Sequence, residues 1–407
     1  MLAKLKEIYP ALAQRNFRYY WFGQCISLIG TWMQATAQQW LVYSLTKSAL
    51  LLGLLGAAQF GPVMLLSLVA GVFIDRYPKK HLLIFTQISL MLQAFALSLL
   101  VWMEQVNYWH VLILAVFLGL VNTLDQPTRQ SFMPELVEKK DLRSAIGLNS
   151  AIFNVARMIG PALSAILMAN YGAGLLFFLN GISFIPVIIG LYLINTNTTK
   201  IIKVQQKVFV EILEGLKYIR QSLTLRSTIL SMFFVSTFAM NFNVIIPLFA
   251  DEVLQQGVTG YGMLMSATGA GSLIGALMVA SWAKGSPKLK LLFGSGFIVS
   301  VLQIALNPIH ILPLAVVMFM AIGFFNIVFM TTANSMIQFN TSDQFRGRVM
   351  SVYSFAFLGT TPVGNLFAGG IMEKTGASMG ISICGAVSAL LIAMIVFHTM
   401  SKPPSVK

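Results

Sequence analysis

Apolar runs recur along the chain, most of them close to the length a helix needs to cross a bilayer. Leu50 to Ile74 is 25 residues without a charge, and a bilayer core is spanned by about 20 apolar residues in a helix. Reading every such run alike predicts twelve spans, at 17–45, 50–74, 81–103, 108–131, 144–169, 174–195, 226–250, 259–283, 290–308, 312–338, 349–372 and 379–400. Short polar turns separate them, except for one long polar stretch after the sixth. That stretch divides the chain into residues 1–195, a linker over 196–225, and residues 226–407. The expected fold is all-α and integral to the membrane, with twelve transmembrane helices in two six-helix bundles.

Inside the linker the period changes. Phe209, Ile212, Leu213, Leu216 and Ile219 recur at helical spacing, with Lys207, Lys217 and Arg220 elsewhere around the helix. Such a segment reads as an amphipathic helix lying on the membrane surface and spacing two bundles. The halves also read as repeats. Gly53, Ala57 and Gly61 form a small-residue stripe, and an offset of 209 carries it onto Gly262, Ser266 and Ala270, and Leu82–Leu83 onto Leu291–Leu292. Small stripes let membrane helices approach closely. The same offset carries Asp75 onto Lys284.

Composition agrees with the pattern. The chain is 57% hydrophobic and 10% charged with mean hydropathy +0.78, against about 25% charged in a soluble domain. A net charge of +14 could point to nucleic acid, but its distribution says otherwise. With the amino terminus in the cytoplasm, 24 of the 27 Lys and Arg fall in inner segments, leaving Lys47 and Lys374 outside and Arg157 within a span. Excess Lys and Arg on the inner side is the usual topology signal. Both termini and the linker are expected in the cytoplasm, and no nucleic-acid partner is needed. No cleavable leader is expected. Cys25 and Cys384 lie in separate apolar runs and read as buried thiols. No nucleophile motif, paired acids or Cys/His cluster is present, so neither enzyme chemistry, a cofactor nor a metal is expected.

Polar residues at membrane depth carry the functional signal, because in lipid they must face protein or water. The first span has Gln24, Ser27, Thr31, Gln34 and Gln38 on one face, and the fifth has Ser150, Asn154, Arg157, Pro161 and Ser164. The tenth has Thr331, Asn334 and Gln338, and the seventh has Thr237 and Asn241. These faces either pack the bundles by hydrogen bonds or line a cavity. Gln34, Gln38, Asn154, Arg157, Asn241 and Asn334 are the candidate substrate contacts. Arg157 is about 13 residues, or roughly 20 Å, into its helix. An arginine so placed is functional or paired as a rule. Asp125 is the carboxylate deepest in a span. It either pairs with Arg129 at i+4, in a gate with Asp75 and Arg76, or reaches Arg157.

The stretch "GVFIDRYPKK" resembles the signature of the major facilitator superfamily between its second and third helices, Gly-x-x-x-Asp-Arg-x-Gly-Arg-Lys. Gly71, Asp75, Arg76, Lys79 and Lys80 are in place, and Pro78 stands where the signature has Gly. "NTLDQPTRQSFMPELV", "LNSAIFNVARMIGPALSA" and "FRGRVMSVYSFAFLG" are similar to the exporter branch with the enterobactin exporter and macrolide-efflux-type proteins. The resemblance implies a monomer in the bacterial inner membrane, exporting a small molecule by alternating access on a proton gradient. It implies that Asp75 caps the start of the eleventh helix near Gly347–Arg348 when the cytoplasmic side is closed, which fits the partial positive charge of a helix N-terminus. An acidic or siderophore-like solute is expected from Arg157, with Trp32 and Trp40 nearby. Neutral macrolide-like drugs are the alternative, and a sensor or assembly factor without flux is the alternative of another class.

Overall fold

A computed structural model describes residues 9–74, 76–194, 208–282, 288–342 and 344–400. Asp75 lies outside the described residues, as does Lys284. Among those described, the regular structure is helical, with no strand. After a short turn at Pro10–Ala13, the helices are α1 Arg15–Thr46, α2 Ala49–Ile74, α3 Lys79–Trp102, α4 Tyr108–Leu136 and α5 Leu142–Leu193. The linker forms α6 Val208–Gln221. There follow α7 Leu223–Phe238, α8 Phe242–Leu248, α9 Gly257–Trp282, α10 Leu289–Ala305, α11 Leu312–Asn340, α12 Arg346–Ser354, α13 Thr361–Thr375 and α14 Ala377–Met400.

Nine segments of the described chain are long and apolar enough to cross a bilayer. The expected twelve are reached only by three further readings. α5 counts as two helices, because Gly172 breaks it with a non-helical φ of 75°, a conformation glycine adopts without a Cβ penalty. α10 is a short apolar helix. α1 counts despite the polar face that lowers its hydropathy.

Two expected single spans prove to be broken. The seventh, expected at 226–250, is α7, a turn at Ala239–Asn241, α8 and a wide turn at Phe249–Val253. Asn241 donates its side-chain amide to the Thr237 carbonyl at 2.8 Å. The Ala239 carbonyl, outside the helix, accepts from Gln303 Nε2 at 2.7 Å. Pro247 adds a missing N–H. The eleventh, expected at 349–372, is α12, a wide turn at Phe355–Gly359, and α13, which opens with Pro362.

The chain forms two compact units. One holds residues 1–45 and 61–205, the other 46–60 and 206–407. Residues 46–60 and the linker helix thus belong with the carboxy-terminal helices, unlike in the division read from the sequence. In the first unit, α3 packs on α4 and α5 around Phe17, Tyr20, Leu83, Phe132, Leu136, Val187 and Leu191. In the second, α9 packs on α11, and α10 on α11 and α14. The start of α2 lies against α13 there. A Cβ on Gly369 would fall 2.5 Å from the Ala49 carbonyl oxygen, whereas one on Gly61 would meet nothing within 4 Å. The expected stripe through Gly61 is therefore not the contact; Gly53, Gly56 and Gly369 make it, around Asn365.

Candidate functional site

In the first unit the polar faces of α1, α3 and α4 meet at Asp125, which is 3% exposed. Thr86 Oγ1 donates to Asp125 Oδ1 at 2.6 Å and Gln87 Nε2 to the same oxygen at 2.8 Å. Arg129 Nε donates to Oδ2, and Arg129 Nη1 to Gln24 Oε1. The i, i+4 spacing on α4 brings the acid and base together, and that helix runs on through Pro127 and Pro134. A buried pair of this kind is tolerable because further hydrogen bonds satisfy its remaining polar atoms. Thr86 and Gln87 were not among the residues picked out from the sequence; buried polar side chains on an otherwise apolar span are the signal that could have found them.

Gln34 is not on an open wall. It donates to Gln93 Oε1 at 2.9 Å and accepts from Asn180 Nδ2 at 2.8 Å, all three residues being buried. Both ends of its amide are used inside the unit. Gln38, one turn on, is fully buried with neither amide atom partnered among the described residues.

α5 lies against α1 through Gly160, which faces the Trp32 side chain, and through Ser164 Oγ, which donates to the Met33 carbonyl at 3.1 Å. Phe153 meets Trp32 edge to face, with ring centroids 5.8 Å apart. Asn154 turns its amide back to the Ser150 carbonyl at 2.8 Å. Arg157 is half-buried and has no hydrogen-bond or ion-pair partner among the described residues. The carboxylate of Asp125 is taken up by Thr86, Gln87 and Arg129 instead.

At the turn before α3, Arg76 is exposed. Lys79 pairs with Glu135 at 2.7 Å. Lys80 donates to the Ile194 carbonyl at 2.6 Å, where a cation suits the end of a helix.

In the second unit, Asn241 is 1% exposed at the break after α7, and its Oδ1 has no partner among the described residues. It faces Gly364, where a Cβ would fall 2.6 Å from that oxygen. Asn334 is half-buried and accepts from Gln338 Nε2. Sequence reading missed three acids at helix starts and a turn. Glu373 accepts from Ser48 Oγ at 3.0 Å and from Leu50 N at 3.1 Å. Asp251 pairs with Lys47 at 2.9 Å, and Glu252 accepts from Ala377 N at 3.2 Å. Three acids thus hold two helix starts and one turn.

The family profile described as transmembrane secretion effector matches residues 7–406. A staphyloferrin A transporter of Staphylococcus aureus is 23% identical over 388 residues, 95% of this chain and 96% of that protein. Macrolide efflux protein A of Streptococcus pyogenes is 20% identical over 392 residues, covering 91% and 93%. Among solved structures, that of the nucleoside transporter NupG superposes with a TM-score of 0.74 at 10% identity, over 95% of this chain and 100% of that one. That likeness is one of fold. Helical membrane architecture, the signature at Gly71–Lys80 and a match over nearly the whole length lead to one conclusion: the chain belongs to the transmembrane secretion effector family, exporters of the major facilitator superfamily.

Proposed function

We propose that the protein exports an acidic, amphipathic small molecule of the siderophore type from the bacterial cytoplasm by alternating access. Arg157 carries this reading. An arginine at mid-membrane depth costs about 2.5–3.5 kcal/mol on the insertion scale, and no acid among the described residues offsets it. An anionic solute would do so, through charge-assisted bonds that are strong away from water. The Trp32–Phe153 pair on the same stretch of α1 and α5 suits an aromatic or apolar portion. Asn154 and Gln38, in the same unit as Arg157, supply amides for the rest. Likeness to a staphyloferrin A transporter supports the class of solute.

The driving force in this reading is the proton gradient. Asp125 is its carrier: ionised, it holds Arg129, Thr86 and Gln87, and protonation weakens that hold. Asp75 and Arg76 work with it as the cytoplasmic gate, with both termini inside and the protein acting as a monomer. A neutral macrolide-like solute is the second reading. It is favoured by the unpartnered amide of Gln38 and the likeness to macrolide efflux protein A.

Purified protein in proteoliposomes, with an imposed pH gradient, separates these readings. Counterflow of a labelled carboxylate siderophore, stimulated by the gradient, is the expected result. Counterflow of a macrolide without the acid favours the second reading. No counterflow of either leaves a sensor or assembly factor.

A further inference from the structure

The linker helix α6 does more than space two bundles. Its apolar side chains Leu213 and Leu216 are exposed, as a helix on a membrane surface requires. A different face, at Glu214, Gly215 and Tyr218, is attached to the segment that starts α12. The Glu214 carboxylate pairs with Arg348. The Tyr218 ring stacks on Phe345 with centroids 4.6 Å apart and planes 14° apart, and its phenol oxygen accepts from Ser342 N at 3.2 Å. Gly215 lets the helix close on that segment, since a Cβ there would fall 3.0 Å from the Arg348 carbonyl oxygen. Arg348 lies over the other neighbour in the stack, its guanidinium carbon 5.3 Å from the Phe345 ring centroid.

These contacts converge on one turn of chain. A surface helix needs none of them to lie in the interface, and a spacer needs none of them to keep its length. What they do is fix the first turn of α12 and neutralise the guanidinium that the turn carries. Glu214 holds that guanidinium through Nη1.

We propose that Glu214 and Tyr218 are positioning residues for the start of α12, and that Glu214 holds that turn through Arg348 until it is released during transport. This rests on the alternating-access reading given above.

The test uses the full-length protein in lipid nanodiscs, with hydrogen–deuterium exchange of residues 342–349 as the direct readout and counterflow as the second. Glu214→Gln and Arg348→Gln should each raise exchange of that segment about 2- to 5-fold, the range for a partly exposed ion pair, and change the transport rate. The exchanged pair, Glu214→Arg with Arg348→Glu, should restore both, and Glu214→Asp should restore them in part. Tyr218→Phe keeps the stack and should move exchange less than Tyr218→Ala. Unchanged exchange in the single variants, or no recovery in the exchanged pair, overturns the proposal and leaves α6 a spacer. Loss of counterflow in every protein, wild type included, would count against the solute chosen, while the exchange data would still decide the role of α6.

Discussion

Gln34 and Gln38 stand one turn apart on α1, yet the first is bonded at both ends of its amide and the second at neither. The spacing of polar residues shows which face of a helix is polar; it does not show what stands opposite. Gln34 meets Gln93 and Asn180, so it should behave as a packing residue. Gln34→Ala leaves a buried acceptor and a buried donor without partners, at about 1–3 kcal/mol each. It should lower the melting temperature of the purified protein by several degrees while leaving the KM for counterflow unchanged. Gln38→Ala should do the reverse. At Asp125 the nearer base takes the carboxylate, because four residues on a helix is one turn. Asp125→Ala leaves Arg129 without its acid and should cost about 3–5 kcal/mol. Adding Arg129→Gln should recover most of the lost thermal stability without recovering gradient-driven transport, if Asp125 carries the proton.

Helix ends are marked by charge and by loss of apolar character, and the spans read from the sequence end within a few residues of the helices. Breaks inside a span carry no such mark. The turn at Ala239–Asn241 depends on Gln303, which is distant in sequence and supplies the donor for a carbonyl the helix no longer uses. Close approach is equally a matter of what lies opposite, as Gly61 and Gly369 show. Gly61→Ala meets open space and replaces the poorer helix former, a gain of up to about 1 kcal/mol. Gly369→Ala forces the start of α2 away from α13 and should reduce the yield of monodisperse protein. Equal yields of the two variants in detergent would contradict the close contact. The docked face of α6 was illegible for a similar reason: Glu214, Gly215 and Tyr218 look like the polar side of any surface helix until Arg348 and Phe345 are seen against them.

At the scale of the molecule, the division into two sets of helices is written in hydropathy and in the polar stretch after the sixth span. The passage of residues 46–60 to the second unit is not, because it rests on partners far away in sequence, Asp251, Glu373 and the close approach of Gly369. Sidedness rests on the distribution of Lys and Arg. Reporter fusions at Lys47 and Glu252 should read as external, and those at Lys140 and Lys288 as internal. The opposite pattern would place the proposed gate of Asp75, Arg76 and Asp125 on the outer side.

The central claim is that Arg157 recognises an anion, and counterflow measured in proteoliposomes with a carboxylate siderophore and with an uncharged macrolide tests it most directly. The arginine's fork matches a carboxylate in two bonds, and a lysine keeps the charge but loses that geometry. Arg157→Ala should therefore abolish exchange of the acid, and Arg157→Lys should retain a minor part of it, in protein that still folds. Undiminished exchange of the acid by folded Arg157→Ala, or loss of macrolide counterflow alone, would contradict the account.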